Sequence, residues 1–313
     1  MIENLVLSVN TVAPLFLMML TGFLLRKFRL FDLQTIKKMN RIVFSFFLPV
    51  LIIQSVYSGN ITESFNPAVI LFAVIGIVLI WAVAMVIVPR IIKDNATRGV
   101  IIQSFYRSNY ILFAIPIIRQ LYGDGNTGIT DLLIVISMPL YNILAVITFE
   151  KYRDGKINII QILSAIVKNP IVIASVIGIL LQLFNVKLGY IPEKALLDIS
   201  RAATPVALII LGGFFEFSGS LKYIKSILIT SGMKLIIIPA VFVSISVLLG
   251  FRNVDLATLF VLFGAPLAVS SFIMAVEMDG NADLAGRLLV FTSAGSMFSI
   301  FLGLFILRSL MLI

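Results

Sequence analysis

The chain has 313 residues, 60% of them apolar and 12% charged, against roughly 45–50% and 25% in soluble domains. With a mean hydropathy of +1.11 it has too little polar surface to cover its hydrocarbon, which excludes a water-soluble fold and leaves lipid as the solvent. The lack of Cys and His excludes thiol nucleophiles, His-ligated metal and Ser–His catalysis, and the net charge of +9 sits in short loops that orient a membrane protein rather than bind nucleic acid.

About 20 apolar residues cross a hydrocarbon core. The first run, 5–25, is uncharged, follows Met1-Ile2-Glu3-Asn4 and reads as a span, not a cleaved signal. Further runs follow at 38–57, 67–89, 99–119, 131–149, 169–186, 196–215, 224–249, 255–277 and 287–307, ten in all. The piece 157–167 is too short to cross and reads as an interfacial helix or as an ordinary connection. Sixteen basic residues, Arg26, Lys37 and Arg287 among them, fall in the loops after odd-numbered runs, against six on the other side. That bias predicts a multi-pass protein of the cell membrane with both termini extracytoplasmic.

The two halves echo one another. Gly22 and Gly178 are 156 residues apart, as are Pro49 and Pro205, and Asp124-Gly125-Asn126 recurs 155 residues on as Asp279-Gly280-Asn281. A unit of five spans that repeats must enter the bilayer in the opposite sense, which predicts two inverted repeats over 1–150 and 151–313. In such folds the substrate site lies where equivalent helices are interrupted. The fourth run holds Ser108-Asn109-Tyr110 and then Pro116; the ninth holds Ala265-Pro266 and then Ser270-Ser271. A proline frees a backbone carbonyl a turn earlier, and a free carbonyl in lipid needs protein, water or solute as a partner. Both runs therefore read as broken helices, whereas Pro49, Pro139, Pro205 and Pro239 read as simple kinks.

SNYILFAIP at 108–116 resembles the first-repeat signature Asn-x-Gly-x-x-Gly-x-Pro of the auxin efflux carrier family, with Ile111 and Ala114 in place of its glycines. GAPLAVSSFIMAVEMDGNADLAG at 264–286 is similar to the second-repeat counterpart, and ATPVALIILGG at 203–213 to the seventh-span segment. The resemblance implies an all-α membrane protein of ten helices in two inverted five-helix repeats. Helices 4 and 9 would be broken and cross, spans 1, 2, 6 and 7 would form a scaffold, and organic anions would be the substrates. It also implies a homodimer.

Within this frame Arg107 is the candidate charge for an anion, since a guanidinium grips a carboxylate with two parallel hydrogen bonds. Asn109, Tyr110, Pro116, Ala265, Pro266, Ser270 and Ser271 are the candidate residues of the breaks, and Gln54, Tyr141 and Asn142 are polar positions that could face the same cavity. Arg107 could equally be a structural pair, and Asn and Ser often join helices without touching a ligand. Lys234 is expected to snorkel to the interface. A coupling proton would ride on Glu216 or Glu277, whereas sodium would use unwound carbonyls; the residues leave both readings open. No cofactor or metal is called for. DGNADLAGR and YGDGN each lack the rest of the enzyme motifs they approach, and no ATP-binding loop occurs. The reading is a secondary carrier, with a channel or membrane-bound sensor on the same fold as the alternative.

Overall fold

The computed structural model describes residues 2–58, 65–153, 167–168, 170–184, 186–215 and 223–313. Regular structure among them is helical, apart from one isolated β-bridge. In chain order the helices are α1 (Ile2–Lys27), α2 (Leu33–Ser58), α3 (Pro67–Ile91), α4 (Asn95–Tyr106), α5 (Tyr110–Tyr122) and α6 (Gly128–Tyr152). Then come α7 (Pro170–Leu183), α8 (Tyr190–Gly213), α9 (Ile224–Leu248), α10 (Asn253–Gly264), α11 (Val269–Glu277) and α12 (Ala282–Ser309). Seven of them (α1, α2, α3, α6, α8, α9 and α12) are long and apolar enough to cross a membrane. The fourth and ninth apolar runs are instead split, into α4 and α5 and into α10 and α11. The interfacial piece expected over 157–167 lies almost wholly outside the described residues, and so does Glu216.

The helices start where the chain offers side-chain acceptors for their first N–H groups. Asp32 accepts from Thr35 N at 2.6 Å, and this bond holds its carboxyl below the usual range. Asn66 accepts from Ala68 N and Val69 N ahead of α3, and Asp94 from Thr97 N ahead of α4. Asn281, in the repeated Asp-Gly-Asn triplet, accepts from Leu284 N to cap α12, while its own amide donates to Thr97 Oγ1 at 3.0 Å and so ties α12 to the start of α4.

Helices α1, α2, α7 and α8 pack on one another: α1 on α8, and α2 on both α7 and α8. Small residues set how closely they approach. A Cβ at Gly22 would overlap the Ile209 carbonyl oxygen, and one at Gly212 the Met19 carbonyl oxygen. At Gly178 a Cβ would lie 2.8 Å from Val56 Cβ and 3.4 Å from Ile53 O. The contacts Gly22–Ile209 and Gly178–Ile53 are thus displaced in both members by the 156 residues seen in the sequence. Without a hydrophobic drive between helices in lipid, such close backbone approach is a main source of association. Gly212→Leu should therefore cost more than about 3 kcal/mol, because the obstacle is backbone and has no rotamer to change. The monodisperse fraction on size-exclusion chromatography should collapse. Gly232→Ala, where a Cβ meets nothing within 4 Å, should leave it unchanged.

Around this group α4 packs on α3 and α6, α10 on α9 and α5, and α11 on α12. From Gly99 in α4 and from Leu256 in α10 onward the residues are buried almost without exception, which places the broken ends of both helices inside the molecule.

Candidate functional site

The two breaks meet. Helix α4 ends at Tyr106, Arg107 leaves it with φ −85 and ψ 109, and α5 resumes at Tyr110. Helix α10 ends at Gly264, Ala265 and Ala268 are extended, and α11 resumes at Val269. Between the ends Ser108 and Leu267 form the antiparallel bridge, and Asn109 N–H donates to Pro266 O at 2.7 Å. Two strand-like segments thus satisfy each other at the depth where neither could face lipid. Side chains meet further backbone groups around the crossing. Ser108 Oγ donates to Leu262 O at 2.6 Å, Leu267 N–H to Thr292 Oγ1 at 3.2 Å, and Gln103 Nε2 to Ser271 O at 3.0 Å.

Two cations are buried here. Arg107, 4% exposed, donates from Nη2 to Asn142 Oδ1 at 2.7 Å and to Ser270 Oγ at 3.1 Å. From Nη1 it reaches Gln103 Oε1 at 3.3 Å and Met274 Sδ at 3.1 Å. Every one of these partners is neutral. Lys234, 1% exposed, donates from Nζ to Ser108 Oγ at 2.6 Å and to Phe105 O at 3.4 Å. The expectation that it snorkels is wrong. It sits in the π-helical turn Met233–Ile237 of α9, which turns it toward α4. It is also about 15 Å from the helix start at 1.5 Å per residue, farther than a four-carbon stem reaches.

The remaining candidates divide. Tyr110 is the first residue of α5 and fully buried, with no hydrogen-bond partner for its hydroxyl among the described residues. The Asn109 Nδ2 and Ser271 Oγ atoms are buried and equally unpartnered. Tyr141 lies against Tyr106 with ring centroids 6.1 Å apart, and Asn142 is a ligand of Arg107. Pro116 is no part of the break: it lies inside α5, about two turns past Asn109. Gln54 is buried on α2 but does not line the cavity at the crossover. Glu277 is the last residue of α11, and its side chain lies outside the described residues.

A small cavity touches the crossover, lined by Asn40 and Phe44 of α2 and by Asn109, Ala268, Ser270 and Ile273. A larger one of about 330 Å³ opens at the other end of the same helix faces, lined by Arg26, Lys37, Arg287, Asp283, Phe214 and Phe272. Leu33, Lys37, Asn40, Phe44 and Leu48 line one or the other. Their spacing of three and four makes them a single face of α2, so one helix face runs from a basic mouth to the crossed breaks. Helices α5 and α11 both begin at the crossing, and a helix start brings unpaired N–H groups and a positive dipole end. Such an arrangement is suited to an anion.

The family profile described as "Membrane transport protein" matches the chain twice, over residues 7–159 and 154–303. An uncharacterized transporter of Methanothermobacter thermautotrophicus is 22% identical over 302 residues, covering 94% of this chain and 96% of that one. Another, from Methanocaldococcus jannaschii, is 24% identical over 307 residues, covering 93% and 96%.

Proposed function

Because the chain belongs to the membrane transport protein family, the auxin efflux carriers that its crossover segments resemble, we propose that it is a secondary active carrier of small organic anions such as carboxylates. The observation that carries this reading is the crossing itself. Arg107, held only by neutral partners, donates to Ser270 at the start of α11, and Ser270 lines the crossover cavity with Asn109, whose amide nitrogen is unpartnered among the described residues. A carboxylate placed there would accept from guanidinium, amide and backbone N–H together, without the cost of another buried charge. Transport would follow from rocking of the α1, α2, α7 and α8 group against the rest, so that the crossing faces each side in turn.

In this reading the ten apolar runs are ten spans in two inverted repeats, 1–150 and 151–313, with α4–α5 and α10–α11 each making one pass. The paired matches of the family profile and the displaced Gly22–Ile209 and Gly178–Ile53 contacts support it. The charge bias favours the cell membrane, both termini outside and the basic mouth at the cytoplasmic face. A proton or sodium gradient would drive the cycle.

Uptake of labelled pyruvate and succinate into proteoliposomes under an imposed pH or sodium gradient tests the proposal. Saturable, gradient-driven flux that is lost in Asn109→Ala is the expected result. Flux that never saturates and admits any small ion would point to a channel instead.

A further inference from the structure

At the opposite end of α2 from the basic mouth lies a buried carboxylate that the substrate site does not use. Asp131, in the first turn of α6, is fully buried. Ser55 Oγ on α2 lies 2.8 Å from one of its oxygens and 3.0 Å from the other, donating to both. The same hydroxyl accepts from Arg119 Nη2 of α5 at 3.4 Å and lies 3.5 Å from Thr127 Oγ1. Beside it Thr130 and Thr258 of α10 share a hydrogen bond of 2.8 Å. The ionisable groups that face the carboxyl are the Arg119 guanidinium and the Tyr110 phenol, both on α5. Helix α2 presents only hydroxyl, and the nearest acid of α10, Asp255, is occupied by Asn66 Nδ2 at 2.9 Å.

Two features separate this carboxylate from ordinary helix glue. A hydroxyl or amide would join α2 to α6 at far smaller desolvation cost than a charge. The Ser55–Asp131 bond also spans the seam between the two helix groups that must slide for the crossing to change sides. Lys37 and Ser55 are 18 residues apart on α2, about 27 Å at 1.5 Å per residue. The large cavity lies at the Lys37 end of α2, and at the other end Ser55 is fully buried.

We propose that Asp131 is the binding site of the coupling proton and that its bond to Ser55 latches the extracytoplasmic end of the pathway. This rests on the carrier reading above. Arrival of a proton from the outer aqueous phase forms one O–H bond on an Asp131 oxygen and takes the carboxylate from charge −1 to neutral. Nothing is oxidised and no other bond breaks. The neutral acid is a weaker acceptor for the Ser55 hydroxyl than the carboxylate, so the bond across the seam weakens and the seam is free to part.

Infrared difference spectra of the full-length protein in nanodiscs, recorded between acid and alkaline pH, read this group directly. The wild type should show a titrating carboxylic-acid carbonyl band that is missing in Asp131→Asn. Ser55→Ala, which keeps the carboxyl but removes its donor, should retain the band at a displaced midpoint. No such band in the wild type, an unchanged band in Asp131→Asn, or an undisplaced one in Ser55→Ala overturns the assignment. If Asp131→Asn does not fold, the Ser55→Ala midpoint decides alone. In proteoliposomes Asp131→Asn should also lose pH-driven accumulation of succinate and pyruvate, and its persistence overturns the assignment too. A wild type that carries neither solute defeats the carrier reading, whereas the infrared band still reports on Asp131.

Discussion

Arg107→Gln is expected to raise the KM for a transported carboxylate about ten- to a hundredfold. A hydrogen bond to a charged group is worth about 1.5–3 kcal/mol, and each 1.4 kcal/mol is about a tenfold change. Glutamine carries no charge and ends two bonds short of the Nη2 position, so the variant loses the guanidinium's hold on Asn142 and Ser270 together with the charge that faces the anion. Arg107→Lys should not restore affinity. Its point charge cannot keep Asn142, Ser270, Gln103 and Met274 engaged while also presenting two parallel donors to a carboxylate. Concentration dependence of initial uptake rates in proteoliposomes measures both variants. A KM unchanged in Arg107→Gln would mean that the guanidinium only braces α4, α6 and α11.

The second large effect runs in opposite directions for stability and transport. Lys234→Met removes a buried amino group that no carboxylate compensates among the described residues and replaces it with an apolar chain of similar length. Exchange of buried charge for hydrocarbon is often stabilising by about 1–4 kcal/mol. Ser108 keeps its bond to Leu262 O, while the 2.6 Å bond from Lys234 Nζ to Ser108 Oγ and the longer contact to Phe105 O are given up. The Tm of the purified variant should therefore hold or rise, while carboxylate uptake falls to background. A lysine kept only to brace the fold would give the reverse, a lower Tm with transport intact.

How much of this could be read from the chain alone depends on whether the cause is local. Each apolar run became one helix or a split pair, because hydropathy and length decide that within about 20 residues. The break in the ninth run was legible because Pro266 carries its own cause. The break in the fourth run has no proline: Asn109 leaves the helix because its N–H finds Pro266 O, and Ser108 pairs with Leu267. Those partners lie more than 150 residues away, so the local proline, Pro116, was mistaken for part of the break. Arg107 and Asn109 stood out as polar residues amid hydrocarbon. Lys234 stood out as well, but the π-helical turn that aims it inward has no sequence mark. Asp131 is the first residue of its apolar run, where nothing in the neighbouring sequence marks it as buried. Its burial is created by Ser55, 76 positions earlier.

The chain has no cysteine, so one thiol can be introduced and followed without background. Ala268, 5% exposed and lining the cavity at the crossing, is the position to change. In oriented proteoliposomes a carrier predicts that Ala268→Cys reacts with a membrane-impermeant thiol reagent from the inside or from the outside, according to the imposed gradient. It also predicts that bound carboxylate slows the reaction from both. Labelling from one face only, whatever the gradient and with no protection by carboxylate, would contradict a solute site at the crossed breaks.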